Sequence, residues 1–396
     1  MDNRPHSCLE TIMPSRIRDL HDIYVKLQHE EPDRSFIALH FGEPDLGTPE
    51  FIVEAGCEAL RNGAVFYEPN RGRTDLRAEL VRYYQRQYGV GLSPDHFVVS
   101  CGAIQAIFLA MASLVRAGDS VINITPAWPS FTGASQLAGA AVHELALNFD
   151  GGHQEFRLDF DKLEETVRRD SSVRMVIANT PSNPTGTVMS AEEKRRLLTF
   201  CREHGLWLLG DEIYDRIVFT EDCPPSFLNL ATPEDRVLLI NGLSKAWCMT
   251  GWRIGFIIGE PELTARMAQL QEFITSHAPS VAQVAAITAL ADGEAFVAES
   301  LVRYRRLRDL VLTRIQKIDG AVVARPDGAF YLFLQLPGSE DSFDFCRELL
   351  YQQSVTLAPG CAFGAGGEGW LRLCFAQQDD RLDEAMDRIE QFVNKS

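Results

Sequence analysis

The chain has 396 residues, of which 45% are hydrophobic, and its 38 basic against 55 acidic side chains give a formal charge of −17. That length accommodates roughly two to three domains, or one large α/β domain with an appendage. The acidic balance excludes a nucleic-acid binder and argues against an anionic membrane surface, since both need a basic face, but it leaves room for a locally basic site with an anionic substrate.

No apolar leader stretch follows Met1-Asp2-Asn3-Arg4-Pro5-His6, and no apolar run reaches membrane-spanning length; the run 106–115 stops at Arg116. Nine cysteines, from Cys8 and Cys223 to Cys374, are scattered without a C-x-x-C pair. That pattern fits reduced, buried thiols rather than a disulfide framework or a zinc site. The expectation is a cytoplasmic protein with no metal.

Residues up to about 45 read as an irregular arm with one helix, ending in His40-Phe41-Gly42-Glu43-Pro44-Asp45. From about 50 to 290 helical periodicity alternates with short apolar runs at 97–100, 120–124, 173–179, 206–210, 237–241 and 254–258. Several runs carry apolar residues on both faces, as strands covered by helices on both sides should. This alternation predicts a doubly wound α/β sheet. A charged helix over about 293–317, strands at 329–334 and 370–375, and an amphipathic helix over about 381–394 predict a smaller α+β domain.

Several segments between these elements carry candidate chemistry. Cys101-Gly102-Ala103-Ile104 joins a strand to an apolar helix, whose first N–H groups offer an anion site or simply close a tight turn. Trp128 stands between Pro126 and Pro129, placed to stack on a ring or to pack. Asn179-Thr180-Pro181-Ser182-Asn183-Pro184-Thr185-Gly186 is a rigid turn after a strand, and turn chemistry alone explains its prolines. Asp211-Glu212-Ile213-Tyr214 begins where an apolar strand ends, which is where open α/β sheets place ligands. Asp211 there either caps a helix or pairs with a protonated ring nitrogen.

The segment from Gly242 to Phe256 is the most informative. It sets Lys245 and Arg253 eight residues apart among apolar residues and glycines, with no other lysine between Lys194 and Lys317. Burial pushes an amine toward its neutral form, which condenses with aldehydes, and a guanidinium fork suits a phosphate. An aldehyde and a phosphate together suggest pyridoxal 5'-phosphate; a snorkelling lysine and a capping arginine are the alternatives. Further on, Gly364-Ala365-Gly366-Gly367-Glu368-Gly369 matches a dinucleotide pattern but runs into a strand rather than a helix, so it reads as a loop. Arg372 interrupts that apolar strand and needs an anionic partner, either a substrate carboxylate or a structural acid.

In this order and nearly end to end, from Gly42-Glu43-Pro44-Asp45 to Arg372, the segments resemble the class I/II aminotransferases of PLP fold type I, closest to the bacterial aspartate aminotransferase-like branch. The resemblance implies a large domain at 49–290 with a mainly parallel sheet covered by helices. It also implies an arm at 1–48 that forms part of a smaller α+β domain completed by 291–396. The implied activity moves an amino group from an L-amino acid to a 2-oxo acid by ping-pong chemistry. Elimination, cyclisation or oxidation of an amino acid on the same fold is the alternative.

The resemblance also implies residue roles. Lys245 would be the catalytic lysine and bind the cofactor as a Schiff base. Asp211 would hold the ring nitrogen, Asn183 and Tyr214 the ring hydroxyl, and Trp128 the ring face. Ser244, Arg253 and the backbone at Ala103 and Ile104 would bind the phosphate. Arg372, Gly42 and Asn183 would take the substrate carboxylate. Tyr67 would reach the phosphate of a neighbouring subunit, which implies a homodimer with composite sites. One position departs: in the aspartate-specific branch a lysine that contacts the distal carboxylate stands where this chain has Ile104. The side-chain pocket is therefore expected not to be built for aspartate in that way. His40 is a candidate for the cleft entrance.

Overall fold

Seven strands form one sheet in the computed structural model, which describes residues 14–220 and 224–395. Cys8, Cys223 and the start of the expected arm lie outside the described residues. The sheet runs Phe97–Ser100, Gly255–Ile258, Val237–Gly242, Trp207–Asp211, Val173–Asn179, Ser120–Thr125, Ala141–Ala146. Only Gly255–Ile258 is antiparallel to its neighbours; every other pairing is parallel.

Alternate residues of a strand face opposite sides, so burial on both faces explains why most of these runs are largely apolar. Val99, Ile122, Val176, Leu208 and Leu239 pack on one face, against Leu80, Tyr84, Leu197 and Ala286 of the helices Thr74–Tyr88, Ala191–Glu203 and Ser280–Asp292. Their chain neighbours Val98, Val121, Ile177, Leu209 and Ile240 pack on the other, against Ile107, Met111 and Met267 of Gly102–Leu114 and Pro261–Glu272. The edge strand Ala141–Ala146 escapes a search for apolar runs because it is only partly buried and carries His143 and Glu144.

A second core gathers Leu20 and Leu27 of the helix Arg16–Glu30, Ile37, and Leu307 and Val311 of Glu294–Ile315. It also includes Leu349 of Ser342–Gln353 and Ile389 of Asp379–Val393. Its sheet is antiparallel, in the order Val322–Ala324, Tyr331–Gln335, Leu371–Cys374, Ala358–Pro359. The arm strand Ile37–Ala38 pairs in parallel with Val355–Thr356, so the arm from Leu20 to Leu39 packs on the last hundred or so residues. The glycine-rich segment 364–369 is a loop that leads into Leu371–Cys374. Among the described residues no single helix is long and apolar enough to cross a membrane.

Candidate active site

The parallel strands aim their C-terminal ends at one cleft, the position a doubly wound sheet gives its ligands. Asn179 and Asp211 end their strands, and Ser244 and Lys245 follow Val237–Gly242. The helix Gly102–Leu114 starts just after Phe97–Ser100. Gly42, Ala103, Ile104, Trp128, Asn183, Asp211, Tyr214, Ser244, Lys245 and Arg253 all line the cleft.

Lys245 Nζ donates to the Gly42 carbonyl at 2.6 Å, and the Tyr214 and Phe330 rings lie 5.8 and 5.9 Å from it. Burial pulls this amine down to about 8, helped by the Arg372 and Arg253 charges and opposed by Cys374 and Glu43. A lysine at that value keeps a far larger neutral, nucleophilic fraction near neutral pH than an ordinary lysine does.

Asp211 is 5% exposed, and its Oδ1 accepts from the Ile213 N–H at 3.0 Å. Burial pushes its carboxyl up to about 7, with the Ile213 N–H and Lys245 acting against the shift. No Lys or Arg forms a salt bridge with it among the described residues, so it suits a cationic ring N–H from outside the chain. Next to it, buried Glu212 pairs with Lys194 at 3.3 Å and takes the Phe227 N–H at 2.9 Å. That anchor fixes the turn carrying Asp211 and Tyr214, and breaking a buried pair of this kind costs about 3–5 kcal/mol.

On the opposite wall, Gly102 has φ 74° and Arg253 φ 56°. A Cβ on Gly102 would stand 2.6 Å from Arg253 Nη2, so glycine is what lets the guanidinium close on the helix start. Arg253 Nη1 donates to the Thr250 carbonyl at 2.7 Å and has no carboxylate partner among the described residues. Free helix N–H groups, a serine hydroxyl and an unpaired arginine make a donor set for a phosphate. This cradle, the buried acid and the amine held near 8 fit pyridoxal 5'-phosphate.

Arg372 sits one layer behind the cleft wall. It is fully buried; Nη1 donates to Asn183 Oδ1 at 2.8 Å, Nη2 donates to the His40 carbonyl, and Nε has no partner. Its guanidinium carbon lies 4.5 Å from the Tyr331 ring centroid. The structural acid that the sequence left open as its partner does not exist among the described residues. A charge this deep with spare donors calls for an anion from outside.

Two further residues lie outside this chain's own cleft. Tyr67 is 92% exposed on the outer surface beside His277, away from this chain's own cleft. His40 is not at the entrance: it is fully buried, because the register Ile37↔Val355 turns it inward against Thr356.

Sequence reasoning also missed contributors. Asn179 Nδ2 donates to the Asp211 carbonyl and its Oδ1 accepts from the Asn183 N–H, tying two site loops together at 3.0 and 2.8 Å. Tyr331 shares a 2.6 Å hydrogen bond with Tyr214. An asparagine ending a strand was a usable signal for the first. A tyrosine inside an apolar run gave none for the second.

The family model for aminotransferases of class I and II matches residues 34–389. An aspartate aminotransferase of Thermotoga maritima is 35% identical, over 90% of this chain and 91% of its own. Aromatic-amino-acid aminotransferase 2 of Thermococcus litoralis is 32% identical, over 98% of this chain and 97% of its own. Among solved structures, a single mutant of Thermus thermophilus aspartate aminotransferase gives a TM-score of 0.91 at 30% identity, covering 99% of this chain and 100% of that one.

Proposed function

The chain belongs to the class I and II aminotransferases, and from that premise we propose that it moves the amino group of an L-amino acid to a 2-oxo acid by ping-pong chemistry, with a side-chain pocket not built for aspartate. The observation that carries this reading is Arg372, a fully buried guanidinium with no acid partner among the described residues and an unpaired Nε. A carboxylate common to amino donor and oxo-acid acceptor answers that need with a charge-assisted contact.

Pyridoxal 5'-phosphate is the cofactor, and when bound it supplies an aldehyde for the amine and an electron sink for charge developing at the substrate Cα. Lys245 would hold the cofactor aldehyde and move the proton at the substrate Cα, and its value near 8 suits a general base. Asp211 would hold a protonated ring nitrogen. Tyr214 and Asn183 hold the ring hydroxyl, and Trp128 covers the ring. Ser244, Arg253 and the N–H groups of Ala103 and Ile104 bind the phosphate. Gly42 and Asn183 help Arg372 orient the carboxylate.

Ile104 is 51% exposed and lines the cleft, and it offers no cation to a distal carboxylate. Desolvating that carboxylate unpaired costs several kcal/mol, which favours an uncharged or larger side chain. The relatives divide between aspartate and aromatic amino acids.

The same reading makes the protein a cytoplasmic homodimer with composite sites, Tyr67 reaching the partner's phosphate. Support comes from an exposed apolar face where Phe66 is 78%, Tyr67 92% and Phe273 85% exposed. It also divides the chain at 1–48, 49–290 and 291–396; one sheet face packs in a core drawn wholly from 49–290, while Ile213, Tyr214, Ile217 and Phe219 join the core of the smaller part. The test is kcat/KM for aspartate, neutral and aromatic donors with one oxo-acid acceptor. Aspartate as the best donor would contradict the pocket assignment.

A further inference from the structure

The arm supplies the carbonyls that hold both interior cations of the site. The His40 carbonyl accepts from Arg372 Nη2, and two residues later the Gly42 carbonyl accepts from Lys245 Nζ. His40 is the point where the arm leaves its ladder, since Leu39 N donates to the Thr356 carbonyl at 2.9 Å just before it. The Cys374 N–H also donates to the Leu39 carbonyl at 3.0 Å, and beyond these bonds the buried His40 side chain is the next polar anchor before the turn.

That side chain is fully buried and bonded at both ring nitrogens. Nδ1 lies 2.5 Å from Thr356 Oγ1, and Nε2 lies 3.2 Å from Nδ1 of half-buried His21. The Phe41 ring packs 4.4 Å from both imidazoles, centroid to centroid. A neutral imidazole offers one donor and one acceptor, and a hydroxyl and a second imidazole each play either part. Burial, with His21, Arg372 and Arg18 nearby, drives His40 down to about 3, so the ring stays neutral beside the arginine.

We propose that His40 is a positioning residue for carboxylate recognition: its imidazole, held between Thr356 and His21, fixes the main-chain oxygen that orients Arg372. The proposal rests on Arg372 as the carboxylate grip. A neutral hydrogen-bonded ring does here what a carboxylate would otherwise do, without neutralising the guanidinium that the substrate needs.

The test is steady-state kinetics of the holoenzyme variants His40→Leu, His40→Asn, Thr356→Val and His21→Leu. His40→Leu should raise KM for both donor and acceptor by about tenfold while kcat at saturation stays within about twofold, the mark of a lost binding contact. His40→Asn, whose amide nitrogen stands where Nδ1 stood, should recover most of that loss. If His40→Leu does not fold, Thr356→Val carries the test, with a rise of about threefold in both KM values, and His21→Leu a smaller rise of the same kind. Wild-type KM values, or a loss confined to kcat and cofactor retention, would overturn the inference. If Arg372→Leu itself leaves KM unchanged, the carboxylate reading fails; if it raises KM and the His40 and Thr356 variants do not, only this inference fails.

Discussion

Replacing Arg372 by leucine removes a fully buried cation without an acid partner among the described residues, and its consequences separate a substrate grip from a structural charge. The side chain is fully buried and its donors reach Asn183 and His40, so its loss also leaves those two acceptors without their partner. Losing a desolvated, fork-shaped contact to a carboxylate costs about 2–5 kcal/mol, counting the misorientation of the reacting Cα. At about 1.4 kcal/mol per decade that is a fall of roughly 30- to 4,000-fold in kcat/KM. Cofactor retention should barely change, because the cradle of Gly102, Ser244 and Arg253 lies on a different wall. The assay is kcat/KM on the best donor, with cofactor absorbance read after gel filtration. Arg372→Lys should recover only part of the loss, since an ammonium lacks the planar fork. Near-wild-type kcat/KM in Arg372→Leu would refute the reasoning and make the residue structural.

Three other outcomes follow from the same geometry. Lys245→Ala should abolish turnover with the fold intact, and borohydride should fix the cofactor of the wild-type protein on Lys245; a tryptic map placing it on another lysine would contradict the assignment. Ile104→Lys should raise activity on aspartate relative to an uncharged donor by about tenfold or more if the new ammonium supplies at least 1.4 kcal/mol, and an unimproved wild-type preference for aspartate would show that Ile104 is not the determinant. Cofactor capture by the apo-protein should speed up as pH rises through about 8, because the Lys245 ammonium loses its proton there, and a profile that keeps climbing toward the ordinary lysine range would deny the depressed value.

The two-sided apolar strands were legible because burial on both faces leaves few polar positions to confuse the period, as Gly255–Ile258 illustrates. Ala141–Ala146 was not, since an edge strand keeps polar residues and His143 pairs instead with Asp170 at 2.7 Å. Lys245 and Arg372 stood out as charges in apolar runs, but whether Arg372 had an acid partner was a question of three dimensions. His40 was misplaced because nearness in sequence to Gly42 suggests the entrance, while strand register decides which way a side chain faces. Tyr331 left no signal, and the role expected of Tyr67 depends on a surface from another subunit.

The most direct test of amino transfer is a single half-reaction. Holoenzyme is mixed with its best amino acid in the absence of any 2-oxo acid, and the products are quantified. The account predicts one equivalent of 2-oxo acid per site, conversion of the cofactor to pyridoxamine phosphate in the same amount, and no free ammonia. Continuous release of ammonia beyond one equivalent per site, with the cofactor still in its aldehyde form, would contradict it and point to elimination or oxidation on the same fold.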